Sequence, residues 1–317
     1  MKGALRVVTA VVATVCCWSV VATGAGGAGA DAPGKPEAVA GAGTSDKAAV
    51  SGAAKSAEKS SAREEAGQAP TLESVLTLID QRLKDVKDMS ADVRGTRQGM
   101  RAGDGPSSLS GTLKCLSPDY MWMELTVRGK GEDGKETVRG SAKMVRNGNM
   151  QYEESSGALV GGAIRVRKMD LVEMAKVRKE AADSGVPIGK PGLPDYMNYL
   201  KWQKEAGLEI RVVNVEKELA TFEVQAKGVQ DAGGYKEEVV ISTGDGLLRS
   251  VKSMYKGQVV LAMELSNIKT NTGLKAADFA YGPPEGAQVQ DDVQALRASL
   301  KARQGPPRPA PPSGGEK

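Results

Sequence analysis

"YKEEVVISTGDGLLRSVKSMYKGQVVLAMELSNIK", residues 235–269, decides the fold class. Extended runs of Val, Ile, Leu and Met are separated only by "TGDG" and by Lys256-Gly257. Connections this short join antiparallel neighbours, because a parallel pair needs a crossover of a dozen residues or more. Outward from this stretch the same texture repeats. "SADVRGTRQ" (90–98), "SLSGTLKCL" (108–116), "DYMWMELTVRG" (119–129), "ETVRGSAKMVRNGNMQYEE" (136–154) and "LEIRVVNVEKELATFEVQAKG" (208–228) are short extended runs punctuated by Gly, Asn and Asp. "RNGN" reads as a hairpin turn between Val145 and Met150. The meander amounts to about nine to eleven strands. So many strands cannot lie flat with both faces wet, so the sheet is expected to curl.

Two helical features accompany it. Leu72, Val75, Leu76, Ile79, Leu83 and Val86 recur at helical spacing behind a Thr71 cap with Glu73 in the first turn. Between Ile164 and Gly207 the meander is interrupted. "KMDLVEMAKVRKEAADSG" reads as a helix with Leu171, Met174 and Val177 on its apolar side. "DYMNYLKWQKEAG" reads as a second, shorter one with Met197, Leu200 and Trp202. The expected architecture is α+β: a curved antiparallel half-barrel of about nine to eleven strands, an N-terminal helix, and inserted lid helices covering the concave face.

The ends differ in kind. Residues 1–30 carry Lys2 and Arg6, then an apolar run, then Ala28-Gly29-Ala30, which reads as a secretory signal peptide cleaved after Ala30. An uncleaved membrane anchor is the alternative reading. Lipid attachment at Cys16 or Cys17 fits less well, because Val15 is not the small residue a lipobox needs before its cysteine. Residues 31–70 are Ala, Gly, Ser, Lys and Glu without an aromatic, a composition that cannot offset its ordering entropy and reads as a disordered linker. The folded domain is placed at 71–292, a short helix at 293–302 and a disordered Pro-rich tail at 303–317.

Composition narrows the chemistry. There is no histidine among 317 residues, which removes the commonest general base and the commonest zinc ligand. No Walker, GxSxG or GxGxxG pattern stands between a strand and a helix. With Lys2 and Arg6 removed, 41 basic residues face 39 acidic ones, so nothing points to nucleic acid. "GEDGKE" (131–136) lacks calcium-loop spacing and reads as a hairpin tip. Glu153-Glu154, Glu237-Glu238 and Asp291-Asp292 read as solvated strand ends. Cys115, the one cysteine left after cleavage, reads as a small buried apolar residue. No catalytic residue, metal or cofactor is expected. The numerous methionines could line a surface that fits more than one apolar shape, or simply fill a core.

Taken together, "VKDMSADVRG", "GTLKCLSPDYMWM", "VRNGNMQYEE" and the run from "GDGLLRSVKSMYKG" to "DFAYGPPEGAQVQDD" resemble the LolA-type lipoprotein-sorting carriers. The likeness covers roughly Thr71 to Asp292 with gaps at the inserted helices. It is most specific at Phe279-Ala-Tyr-Gly-Pro-Pro-Glu-Gly, where the family ends its last strands on a similar Pro-Pro stretch. The resemblance implies a periplasmic monomer that shields the acyl chains of lipoproteins or lipids in an apolar cavity, between an inner-membrane transporter and an outer-membrane acceptor. It implies no enzyme and no nucleic-acid partner. The candidate lining is Trp122, Met123, Met144, Met150, Phe222, Met254, Leu261, Met263 and Phe279 on the sheet, with Leu171, Met174, Met197 and Leu200 on the lid. One departure stands out: Ser117 precedes Pro118 where the family commonly has an arginine that ties lid to barrel, a role Arg94 or Arg97 could take over. That departure leaves an alternative of the same fold, the RseB-type sensors of envelope stress.

Overall fold

A computed structural model describes residues 70–98, 105–116, 119–131, 133–183, 192–226 and 234–304. The leader, the linker up to Ala69, the Ser117-Pro118 corner and the tail from residue 305 lie outside the described residues.

Helix α1 (Leu72–Leu83) forms where the apolar stripe predicts, and Thr71 Oγ1 accepts a hydrogen bond from the Ser74 amide at 3.2 Å. Val75 and Ile79 are buried, while Leu72, Leu76, Leu83 and Val86 pack against the same core. The strands are β1 (Asp88–Arg97), β2 (Ser107–Leu116), β3 (Tyr120–Lys130), β4 (Glu136–Asn147), β5 (Met150–Gly157), β6 (Arg165–Asp170), β7 (Leu208–Glu216), β8 (Leu219–Ala226), β9 (Tyr235–Ser242), β10 (Leu248–Tyr255), β11 (Gln258–Thr270) and β12 (Gln288–Asp291). Helix α2 (Leu171–Asp183) and helix α3 (Tyr199–Glu205) follow β6, and helix α4 (Asp292–Gln304) follows β12. The "RNGN" turn lies between β4 and β5 as expected, with Gly148 at φ 61°, a left-handed conformation that suits a residue without Cβ.

The expected curved antiparallel half-barrel is corrected. The twelve strands form one open sheet in the order β12-β6-β5-β4-β3-β2-β1-β11-β10-β9-β8-β7, without strong curl, and β12 pairs with β6 in parallel. The sheet is therefore mixed. Its two edges do not suit each other: β12 has four residues and runs straight into α4, whereas β7 has nine. Cover, not curling, keeps apolar side chains from water. On one face α1 and the 193–200 segment pack on a large core drawn mainly from β1–β3 and β7–β11. On the other, a 3-10 turn at Ala276–Phe279 lies over β3 and β4.

The lid is corrected as well. Arg165–Asp170, expected to belong to the helical insertion, is strand β6, which pairs with β5 and β12. Helix α2 does not cover the main core. Its Met174 and Val177 join Val293 of α4 in a separate small core at the β6–β12 end. Of the described residues of the expected lid, only α3 and the turn before it belong to the main core. In that turn Asp195 Oδ1 accepts from the amides of Met197 and Asn198, both at 3.1 Å, so the helix begins at Tyr199 rather than at Asp195.

Candidate functional site: a cleft between two helices

Among the described residues the main core has an opening. Between α1 and α3 lies a cleft of about 460 Å³. Leu76, Ile79 and Leu83 face it from α1, Met197 and Leu200 from the α3 side, and Ile241 and Leu248 from β9 and β10. Tyr196, Asn198, Tyr199 and Gly246 also line it, and the exposed Asp80, Lys201, Lys204 and Glu205 complete the lining. An apolar interior with charge at its mouth suits an amphiphile.

The wall formed by α1 is held from below. Gly246 has φ 78°, and a Cβ there would stand 2.9 Å from both the Ile79 carbonyl oxygen and Leu83 Cγ. The helix therefore rests directly on the β9–β10 turn, which only glycine permits. Downstream, the connection to β1 is stapled to the end of β11. The Lys87 amide donates to Asn271 Oδ1 at 2.8 Å, and Asn271 Nδ2 donates to the Asp85 carbonyl at 3.0 Å. Asp88 accepts from the Thr272 amide and hydroxyl at 2.7 Å each, and from the Gly273 amide at 3.0 Å. Burial raises the pKa of Asp88, but these hydrogen bonds outweigh it and leave the carboxyl below its ordinary value.

The other wall stands on a buried acid. Glu237 of β9 is 1% exposed. Its Oε2 accepts from the Tyr199 hydroxyl at 2.8 Å and from Gln203 Nε2 at 2.5 Å, both on α3. Its Oε1 accepts from the Tyr235 hydroxyl and, at 3.4 Å, from the Ser253 hydroxyl. Burial pushes the Glu237 pKa up despite these donors. The Glu237-Glu238 pair was expected to be a solvated strand end. Strand periodicity carries the corrective signal: Tyr235, Glu237, Val239 and Ile241 share the inward face. The other acidic pairs are corrected too, by their partners. Glu153 and Asp292 both bind Arg167, at 3.1 and 2.7 Å, and Tyr281 donates to Glu154 at 2.7 Å.

The candidate lining residues are dispersed. Met197 and Leu200 line the cleft. Met123, Phe222 and Met263 lie in the main core and Met144 packs against it. Met174 belongs to the small core beneath α4. Leu171, Met150, Met254 and Leu261 are half-buried along α2, β5, β10 and β11. Trp122 and Phe279 lie on the opposite face, where the Phe279 ring is tilted 47° to that of Tyr120 with centroids 5.7 Å apart and Trp122 meets Tyr281 edge-on at 6.3 Å. The Pro-Pro stretch thus ends on an aromatic clamp across the back of the sheet. The sequence reading missed Leu76, Ile79 and Leu83 as lining, because an apolar helix stripe reads as core by default.

Cys115 is buried and its thiol is pushed far up by burial, with Asp195 adding to the effect, which leaves it unreactive. Arg94, one alternative for the lid tie, is exposed. Among the described residues no group of three or more His, Cys, Asp or Glu could hold a metal, and no helix is long and apolar enough to cross a membrane.

No family model matches the chain, and no curated protein matches it. Several solved structures are similar at a distance. An uncharacterized conserved protein from Thermus thermophilus is 12% identical, over 69% of this chain and 98% of that one, with a TM-score of 0.37. MucB is 14% identical over 65% of this chain, with a TM-score of 0.33, and the match spans 62% of its length. A putative outer membrane lipoprotein-sorting protein domain from Vibrio parahaemolyticus is 12% identical, over 66% and 95%, with a TM-score of 0.31. Likeness this remote leaves the functional argument to the chain's own geometry.

Proposed function

We propose that this protein is a periplasmic carrier that shelters an acyl chain, of a lipoprotein or a free lipid, in the cleft between α1 and α3. The apolar cleft itself carries the reading. Its 460 Å³ falls within the range of small-molecule sites, about 300–1,000 Å³. It is walled by two short helices rather than enclosed by the sheet. A wall made of helices can shift to lengthen the groove without breaking a strand ladder.

Such a carrier works by transfer, not by bond chemistry. Each methylene withdrawn from water is worth roughly 0.8 kcal/mol. An acyl tail released into the aqueous space would cost on the order of ten kcal/mol. The cleft offsets part of that cost, and a charged mouth leaves the head of the amphiphile in water. An inner-membrane donor and an outer-membrane acceptor belong to the same proposal.

The test is to purify the full chain from the envelope under native conditions, extract bound lipid and identify it by mass spectrometry. Titration with a fluorescent long-chain fatty acid follows. Co-purified acyl species and saturable one-site binding are expected. A lipid-free protein that does not bind the probe would overturn the proposal.

The sensor reading of the same fold has one observation in its favour. Strand β7 is a nine-residue sheet edge with Val213 62% exposed, a place where a partner strand could add. In that case the chain captures one protein partner from the envelope, rather than lipoproteins, and Val213→Lys weakens the capture.

A further inference from the structure

Helix α3 has only seven residues, too short to persist without tertiary support. Its polar support is Glu237. Tyr199 and Gln203, one turn apart, both end on the same carboxyl oxygen at 2.8 and 2.5 Å. Among the described residues the hydrogen-bond donors to that carboxyl are all neutral groups. Tyr199 and Gln203 reach it from α3, Tyr235 from β9 and Ser253 from β10, and its register neighbour on β8 is the apolar Val224. Tyr196, in the turn before α3, is the next titratable group, with Cys115 of β2 beyond it. No cation forms an ion pair with Glu237 among the described residues. An ionised carboxylate held this way carries a buried charge without a counter-charge, which is costly even when hydrogen-bonded.

A second detail fits a neutral carboxyl. Gln203 is 1% exposed, and its Oε1 has no hydrogen-bond partner among the described residues. Its amide stands 2.5 Å from Glu237 Oε2, a separation typical of O–H···O rather than N–H···O. Half a turn of the amide would bring Gln203 Oε1 to that position as the acceptor for a Glu237 O–H.

We propose that Glu237 is a proton-operated latch for the cleft: protonated, it clamps α3 to the sheet through Tyr199 and Gln203; ionised, it loosens α3 and opens one wall. That the latch governs ligand passage rests on the acyl-binding reading above; that it governs α3 does not. The sign follows from burial. The carboxyl of the docked state titrates above its ordinary value of 4.5. Docking is fully favoured below that value and is lost as pH rises through the raised pKa. Across the window the docking equilibrium falls about tenfold per pH unit. Burial holds the Tyr196, Tyr199 and Cys115 pKa values above their ordinary ones, so none of these gains charge in that window.

The test is hydrogen exchange of the α3 amides in the full chain without ligand, from pH 5 to pH 8, corrected for intrinsic exchange. Wild type should lose at least tenfold protection in α3 across the range, while β2 and β3 keep theirs. Glu237→Gln should flatten the profile to within about twofold. Tyr199→Phe removes a bond that favours the ionised form, so it should carry the loss of protection to higher pH. This second variant keeps the test informative if Glu237→Gln folds poorly. Flat α3 protection in wild type, or an unchanged profile in Glu237→Gln, overturns the latch. A fluorescent fatty acid is then titrated at both pH values. If α3 protection follows pH while the probe never binds, the latch stands and the acyl-binding reading falls.

Discussion

Replacing Leu76 by Asp separates the cleft from the core. Leu76 is half-buried on α1 and faces the cleft, whereas Val75 beside it is 4% exposed and belongs to the core. In the empty protein an Asp at position 76 can keep its water in the open mouth. Folding then loses part of a leucine's burial, about 1 kcal/mol, plus about 0.6 kcal/mol of helix propensity. For a domain of this size that lowers Tm by roughly 3–7 °C. When an acyl chain enters, the carboxylate loses its water without a partner. The effective cost of such a loss is several kcal/mol. Taking about 2–3 kcal/mol, affinity falls roughly 30- to 150-fold.

The assay is equilibrium titration of the full chain with a fluorescent long-chain fatty acid, alongside thermal melts with and without the probe. Leu76→Asn provides the neutral control of similar shape and should lose no more than about tenfold. Val213→Asp, on an edge strand 62% exposed, should change neither stability nor binding. If Leu76→Asp binds within threefold of wild type while remaining folded, the acyl chain does not enter between α1 and α3, and the cleft is not the carrier's site.

Three other perturbations test how the site is held. Phe279→Ala, fully buried against Tyr120 on the face away from the cleft, should cost about 3–5 kcal/mol of stability by denaturant melts and leave probe affinity unchanged at temperatures where the protein is folded. Gly246→Ala places a Cβ 2.9 Å from the Ile79 carbonyl at a left-handed φ; it should destabilise by about 1–3 kcal/mol and alter probe affinity by displacing α1. Asp88, held below its ordinary 3.8 by the Thr272 and Gly273 donors, contributes stability above that value and loses it as pH falls through its depressed pKa. Asp88→Asn should therefore weaken the protein at neutral pH and flatten the acid limb of its stability curve.

The parts legible in the sequence were those where one local pattern met no competing demand. The α1 stripe has a single apolar side and a capping threonine, and "RNGN" supplies the positive φ a tight turn needs. The open sheet was not legible, because curling and covering solve the same burial problem and only tertiary contacts choose between them. The Ala276–Phe279 turn that covers β3 and β4 comes from more than a hundred residues away in the chain, beyond any periodicity. Strand β12 is four residues, "QVQD", and among the described strands it pairs with β6 alone. Glu237 escaped for a different reason. An acidic doublet near a strand end reads as solvated, yet its two members point to opposite faces, so exposure of Glu238 says nothing about Glu237. The in-phase neighbours Tyr235, Val239 and Ile241 already required position 237 to be buried, and a buried acid requires donors. Tyr199 and Gln203, one helical turn apart on a helix too short to stand alone, supply them. The hydrogen bonds that hold the helix are the same ones that hold the acid, so the cleft wall and its latch are a single device.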